Sequence, residues 1–394
     1  MTQLLSNICD YINEKIAVND LSDENYISTE NMLPNKSGIV KASTLPNLQL
    51  TPAYQENDVL ISNIRPYFRK IWQAEYCGGC SNDVLVLRAK KSVNPKFLYY
   101  VLSEDKFFDY ATATSKGTKM PRGDKTAIMK YEVPEFSETE QEKIANILFP
   151  IDEKIAINSA TNNNLEQQAQ AIFNNKFVNI ESIPNNWETS NLSTIADYLN
   201  GLAMQKFRPN NDEIGIPVLK IKELRQGFCD NQSDLCSPNI KSEYLINDGD
   251  VIFSWSGTLW LDLWCSGLCG LNQHLFKVTS SKYDKWFYYF WTKYHLNKFI
   301  AIAADKATTM GHIKREDLDK SEVLIPDDET YTQLTSLLSP ILELIIKNKV
   351  ENRQLIQLRD TLLPKLMSGE IDVTNVDIST DKLSFSCLNV LIEF

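Results

Sequence analysis

Cys77-Gly-Gly-Cys80 has the spacing of half a tetrahedral zinc site, and Cys265 with Cys269 offers a looser second pair. A structural zinc needs four converging ligands, and the first pair has no histidine near it. Reduced cysteines in a core are the favoured reading of all eight. His274, His295 and His312 have no evident metal or nucleophile partner in the sequence. Asn94-Pro95-Lys96-Phe97 resembles an Asn-Pro-Pro-aromatic methyltransferase motif only superficially, since no Gly-rich cofactor loop accompanies it. No GxxxxGK[ST] loop occurs either, which argues against ATP use. What remains is recognition chemistry.

Reading a nucleic acid asks for Arg, Lys, Asn, Gln and small hydroxyls on loops, with charge for phosphates and forked donors for base edges. Between Val59 and Lys130, thirteen Lys/Arg stand against six Asp/Glu, inside a chain whose net charge is −11. A solvated lysine-rich surface would give the same count, so position has to decide. The first candidates follow a β-prone run: Ser62, Asn63, Arg65, Tyr67, Arg69 and Lys70. A second polar loop adds Lys116, Thr118, Lys119 and Arg122. Arg65 suits a guanine edge, whereas Lys70 and Lys119 suit phosphates. Matching loops later in the chain supply Ser254, Ser256 and Thr258, then Lys306, Thr308, Thr309 and His312. Asn272, Gln273 and His274 lie beside a strand, where they either reach a base or satisfy a turn. Trp255 and Trp260 read as core or interface groups. From Gly201 to Asp328 the charges are balanced, fifteen positive against seventeen negative.

The elements that must position these loops are duplicated. In an ungapped register of 190 residues, Asn82 matches Asn272, Leu85 matches Leu275, Phe97 matches Phe287 and Lys116 matches Lys306. Pro150 matches Pro340 in the same register. Asp58-Val-Leu-Ile-Ser62 resembles Asp250-Val-Ile-Phe-Ser254 after a gap of two residues. Each copy begins with short strands and continues with a helical segment, Phe97–Tyr110 or Trp286–Ala301. A polar loop, a strand ending near Pro134 or Pro326, and a long helix complete it.

Ser137-Glu-Thr-Glu140 is a capping box that opens the first long helix. Ile151, Ile155, Asn158, Asn162, Leu165 and Ile172 form one apolar seam, and Ile341, Ile345, Asn348, Asn352, Leu355 and Leu362 the other. Two asparagines recur at equivalent seam positions, and a buried Asn fixes register when it pairs. That favours the two helices packing on each other, antiparallel if a pseudo-twofold relates the copies, over packing on separate cores. From Ile151 to Asn174 such a helix spans ~36 Å, about one turn of B-DNA. Leu358 and Leu363 read as exposed leucines outside the seam, available for protein docking.

The composition, 394 residues with mean hydropathy −0.28, suits two or three globular domains. No apolar run reaches bilayer length, and the first twenty residues carry no basic-then-apolar leader, so a cytoplasmic location is expected. A stand-alone duplicated DNA-binding regulator would fit these features.

Up to about Val376 the chain resembles the specificity subunit of type I restriction-modification systems. The second copy carries the likeness best, in Gly215-Ile-Pro-Val-Leu219, GDVIFSWSGT from Gly249, LNQHLFKV from Leu271, TTMGHI from Thr308 and LRDTLLPKLMSGEIDV from Leu358. The first copy matches through ENDVLISNIRP from Glu56 and CSNDVLVLR from Cys80, with no clear counterpart of GIPVL. The resemblance implies an α+β fold: two pseudo-repeated α/β target-recognition domains separated by two long helices packed as an antiparallel coiled coil. Their expected extents are residues 1–136 and 181–328 for the recognition domains and 137–180 and 329–374 for the helices, with a tail at 375–394. It further implies a non-catalytic subunit that reads a split target on double-stranded DNA and docks two methyltransferase subunits, joined in the full assembly by up to two restriction subunits. S-adenosylmethionine, ATP and Mg would then belong to the partner subunits, with no cofactor in this chain and no membrane partner.

Overall fold

In a computed structural model, residues 2–305 and 311–374 are described. The chain divides into two units, Met1–Glu153 with the chain from Ile356 on, and Lys154–Leu355. The division falls within both long helices rather than at their ends.

In the first unit, Cys9–Tyr11, Val84–Ala89, Val59–Ser62 and Ile71–Gln73 form an antiparallel sheet in that order. Val59–Ser62 is buried at every position because both faces of this sheet are covered. Leu60 faces Tyr54, Trp72, Val84 and Val86, in a core shared with a second sheet. That second sheet runs Lys15–Ala17, Leu50–Tyr54, Gly78–Cys80 and Tyr26–Ile27, the last two strands parallel. Cys80 is buried in it and Cys77 is exposed.

The second unit repeats the first sheet as Asp197–Asn200, Leu275–Thr279, Val251–Ser254 and Trp260–Leu263. Its second sheet has Ile216–Leu219 parallel to Cys269–Leu271, so Tyr26–Ile27 is the first copy's counterpart of the Ile-Pro-Val-Leu strand. The edge strands differ: Lys15–Ala17 joins Leu50–Tyr54 in one copy, whereas Leu235–Cys236 joins Ile216–Leu219 in the other.

Pairing corrects the sequence register. Ser62 pairs with Val84 and Ser254 with Leu275, so the counterpart of Leu275 in the first copy is Val84 rather than Leu85. The Ser81 hydroxyl accepts from the Asp83 N–H, as the Asn272 side chain accepts from the His274 N–H, both at 3.2 Å. Ser81, not Asn82, therefore corresponds to Asn272. The turns before Val59 and Val251 also coincide: Asp58 accepts from the Gln55 N–H and Asp250 from the Asn247 N–H, each at 2.8 Å. Their third residue is left-handed in both, Asn57 with φ 71° and Gly249 with φ 85°.

The segment expected as one helix over Phe97–Tyr110 is two, Pro95–Ser103 and Asp105–Ala113, broken at the extended and buried Glu104. Its counterpart, Lys285–Asp305, is continuous. The central helix, Glu138–Phe173, starts at the capping box, where the Glu140 carboxylate accepts from the Ser137 N–H at 2.8 Å. It passes into one π-helical turn at Asn174–Val178, seating Phe173 and Phe177 against Trp286, Phe287, Phe290 and Trp291. The distal helix is Asp328–Ser368, shorter at its end than the sequence suggested.

Within the second unit these helices run antiparallel. Asn158 donates to Asn352 and Asn348 donates to Asn162, both at 2.9 Å. Ile345 and Leu355 of the seam are buried, and Ile155, Leu165, Ile172 and Ile341 are half-buried. In the first unit Ile151 and Leu362 are buried, and Arg359 on the distal helix donates to Asp152 on the central helix at 2.9 Å. Leu358 and Leu363 are buried as well, which removes them as exposed docking leucines.

Candidate nucleic-acid interface

In each unit three loops meet where the first sheet ends. In the first unit the Asn63 N–H donates to the Asp83 carbonyl at 2.8 Å, and the Gly123 N–H donates to the Asn63 carbonyl at 3.0 Å. The Arg65 N–H reaches the Pro121 carbonyl, and Lys116 and Arg122 close the last loop by reciprocal backbone bonds. The second unit repeats the pattern. The Ile313 N–H donates to Trp255 and the Gly257 N–H to Gly311, at 3.0 and 2.9 Å. Backbone bonds thus set the loops, which frees side-chain identity to vary between copies.

Several sequence candidates prove to be parts of this scaffold. Ser62 and Asn63 are buried, the Ser62 hydroxyl donating to the Ile64 carbonyl and the Asn63 Oδ1 lacking a hydrogen-bond partner. Ser254 is fully buried and donates to the carbonyls of Ser256 and Thr258. Ser256 is buried with its hydroxyl 3.0 Å from His274 Nδ1, and the other ring nitrogen of His274 meets Gln273. Asn272 is buried as the turn residue already described. A short hydroxyl or amide at a strand end satisfies neighbouring backbone groups more readily than it reaches outward.

The basic candidates are mostly tethered. Arg69 pairs with Asp105 at 2.8 Å, Arg122 with Asp83 at 3.0 Å, and Lys116 with Asp124. The Lys70 ammonium donates to the Thr29 carbonyl at 2.6 Å, and burial lowers its pKa. Arg65 is half-buried, its Nε lacking a hydrogen-bond partner. Tyr67, Thr118 and Lys119 are exposed, as is Thr258 in the second unit, and His312 is half-buried. Lys306, Thr308 and Thr309 lie outside the described residues. Trp255 is held by stacking on Phe276 and a 3.0 Å bond to Asn200, while Trp260 is 41% exposed.

The family described as Type I restriction modification DNA specificity domain matches residues 5–167 and again residues 184–357. The chain belongs to the type I restriction-modification specificity subunits. This specificity subunit is accordingly a DNA-binding, target-recognition component. It is similar to the type I restriction enzyme MjaIX specificity subunit of Methanocaldococcus jannaschii, at 27% identity over 309 residues, 72% of this chain and 71% of that one. The HindI specificity subunit of Haemophilus influenzae is 22% identical over 455 aligned positions, covering 93% and 98% of the two chains. Among solved structures, the S subunit of a type I system from M. genitalium shares the fold, with a TM-score of 0.56 and 16% identity over 93% of this chain and 96% of that one.

For a specificity subunit, the sequence reading passed over the loop Gly201–Arg208. Its exposed Gln205, Lys206 and Arg208 lie beyond Gly201, where a Cβ would come within 2.2 Å of the Asn272 carbonyl. A signal was present. Leu5-Ser-Asn-Ile-Cys-Asp-Tyr11 recurs as Leu192-Ser-Thr-Ile-Ala-Asp-Tyr198, 187 residues on, and marks the strand that leads into this loop. The exposed Lys314, Phe68 and Met120 were also missed.

Proposed function

We propose that this chain reads a bipartite, asymmetric DNA target, one half-site per unit, and carries the methyltransferase and restriction subunits without performing chemistry itself. The single observation that carries this is the repeated three-loop junction. The same backbone bonds recur at the same sheet end in both units while the side chains differ, as two readers of unlike half-sites require. Arg65, Tyr67, Thr118 and Lys119 are the reading set of the first unit, and Thr258, Gln205, Lys206 and Lys314 that of the second. The long antiparallel helices would set the spacing between half-sites. Leu337 and Leu344, 54% and 41% exposed and two turns apart on the distal helix, are the apolar groups offered to a partner subunit. S-adenosylmethionine, ATP and Mg enter this reading only through those subunits. Among the described residues no helix is long and apolar enough to cross a membrane.

The test is co-expression with a methyltransferase subunit, followed by mapping of methylated adenines. Stable co-purification and methylation at one split target are expected. A chain that binds no such subunit, or a complex that methylates without sequence preference, overturns the reading.

A further inference from the structure

The loop after Ser62 carries a 3₁₀ turn that the described residues of the loop after Ser254 lack. Pro66–Phe68 forms a single 3₁₀ turn with Tyr67 48% and Phe68 38% exposed, their ring centroids 4.7 Å apart. Arg65 and Arg69 flank it, both left-handed at φ 50° and 51°. Opposite stand Asn35 and Lys36, left-handed at φ 55° and 59°. The Asn35 N–H donates to the Phe68 carbonyl at 2.8 Å and the Lys36 N–H to the Arg69 carbonyl at 2.9 Å. Four of the five non-glycine residues with positive φ among the described residues therefore meet at this turn. Each costs conformational energy and persists only where its surroundings over-determine it. Here Asp105 adds a lock, pairing with Lys36 at 2.9 Å and with Arg69 at 2.8 Å.

The result is a braced tip presenting two partly exposed aromatic rings. Beside it, the bond from the Arg65 N–H to Pro121 brings up the loop that carries the exposed Lys119 and Met120. The Arg65 guanidinium lies 6.0 Å from the Phe68 ring. Apolar groups set among cations fit a polyanion whose interior is stacked rings, and side chains of this kind act as wedges at base steps. In the second unit Trp255 occupies the position after Ser254 but is packed on Phe276, and the chain passes through Ser256-Gly257-Thr258 toward the next strand.

We propose that the Tyr67–Phe68 tip is a wedge that inserts at a base step of the half-site read by the first unit, so that this half-site is selected partly by how readily the step opens. The proposal rests on the bipartite reading above.

The test uses the full chain with its methyltransferase subunit and duplexes of the mapped target, carrying 2-aminopurine at successive positions of both half-sites. A rise in fluorescence is expected at one step of the first half-site other than the methylated adenine, which a methyltransferase unstacks in any case. Tyr67→Ala with Phe68→Ala should abolish that rise and weaken binding about tenfold or more, while Phe68→Leu keeps part of it. Silence at every first-half position other than the methylated adenine, in an unsubstituted complex that binds and methylates this target, overturns the wedge and leaves the bipartite reading standing. Because that result comes from the unsubstituted complex, a variant that fails to fold does not protect the proposal. If the double variant instead loses its methyltransferase subunit while fluorescence at those other positions stays flat in the parent, the tip is a protein-docking element and the wedge is likewise overturned. Failure of the unsubstituted complex to select any target would instead count against the bipartite reading.

Discussion

Asn158 donates its side-chain amide to Asn352 at 2.9 Å, and the equivalent residues 190 positions on or back, Asn348 and Asn162, repeat the bond at the same length. The symmetry extends to the backbone, since Asn162 also donates to the Ile345 carbonyl and Asn352 to the Ile155 carbonyl, at 3.2 and 3.3 Å. A local pseudo-twofold thus relates the two helices, and four amides in the seam are satisfied only in this antiparallel register.

Removing one partner leaves the other amide buried without its bond. Asn348→Leu should lower the stability of the second unit by roughly 1–3 kcal/mol. Pairing it with Asn162→Leu should recover much of that loss while loosening register. Calorimetric melting of the two single variants and the double variant measures the coupling. Purely additive losses would show that the pair does not act as a unit.

Much of this was legible in the sequence because period and chemistry coincided. The capping box at Ser137, the seam asparagines and the strands around Asp58 and Asp250 each follow from spacing alone. The one-residue slip at Ser81 was not legible, because a serine hydroxyl and an asparagine amide fill the same turn acceptor and the neighbouring Asn82 offered a false identity. Ser254 and Ser256 look like loop groups in sequence. Their burial depends on strands that pair from far along the chain.

Gly201 tests how the second reader is built. Gly201→Ala would drive a Cβ into the carbonyls of Leu271 and Asn272, at 2.2–2.4 Å, both of them backbone atoms that cannot give way cheaply. A loss of about 1–3 kcal/mol is expected, together with relaxed selectivity at the second half-site and intact selectivity at the first. Methylation mapping of the variant complex reads both, and equal relaxation of the two halves would contradict it.

Glu104 tests the break between the two first-unit helices. Burial, with a smaller push from Asp105, raises its pKa from 4.5 to about 6 against the pull of Lys106 and Lys36. The folded state therefore holds this proton more tightly than the unfolded chain, so the cost of the charge is full above pH 6 and is relieved as pH falls from 6 toward 4.5. Glu104→Gln should raise the melting temperature at pH 8 and change it little at pH 4.5. A gain of equal size at both values would assign the effect to packing.

Lys119, exposed on its loop, should act through phosphate. Lys119→Ala is expected to weaken binding to target and non-target DNA alike and to reduce the slope of log K against log salt by about 1. Binding isotherms at several salt concentrations give the slope. A loss confined to the target sequence would make Lys119 a base reader.

The most direct test of two independent readers is Arg65→Ala in the complex with a methyltransferase subunit, compared with the parent by mapping every methylated adenine on a random-sequence library. Two short specified blocks separated by an unspecified spacer of constant length are expected from the parent. The variant should become degenerate in one block alone, with the other block and the spacer unchanged. A single contiguous target, or degeneracy spreading to both blocks, would contradict the account.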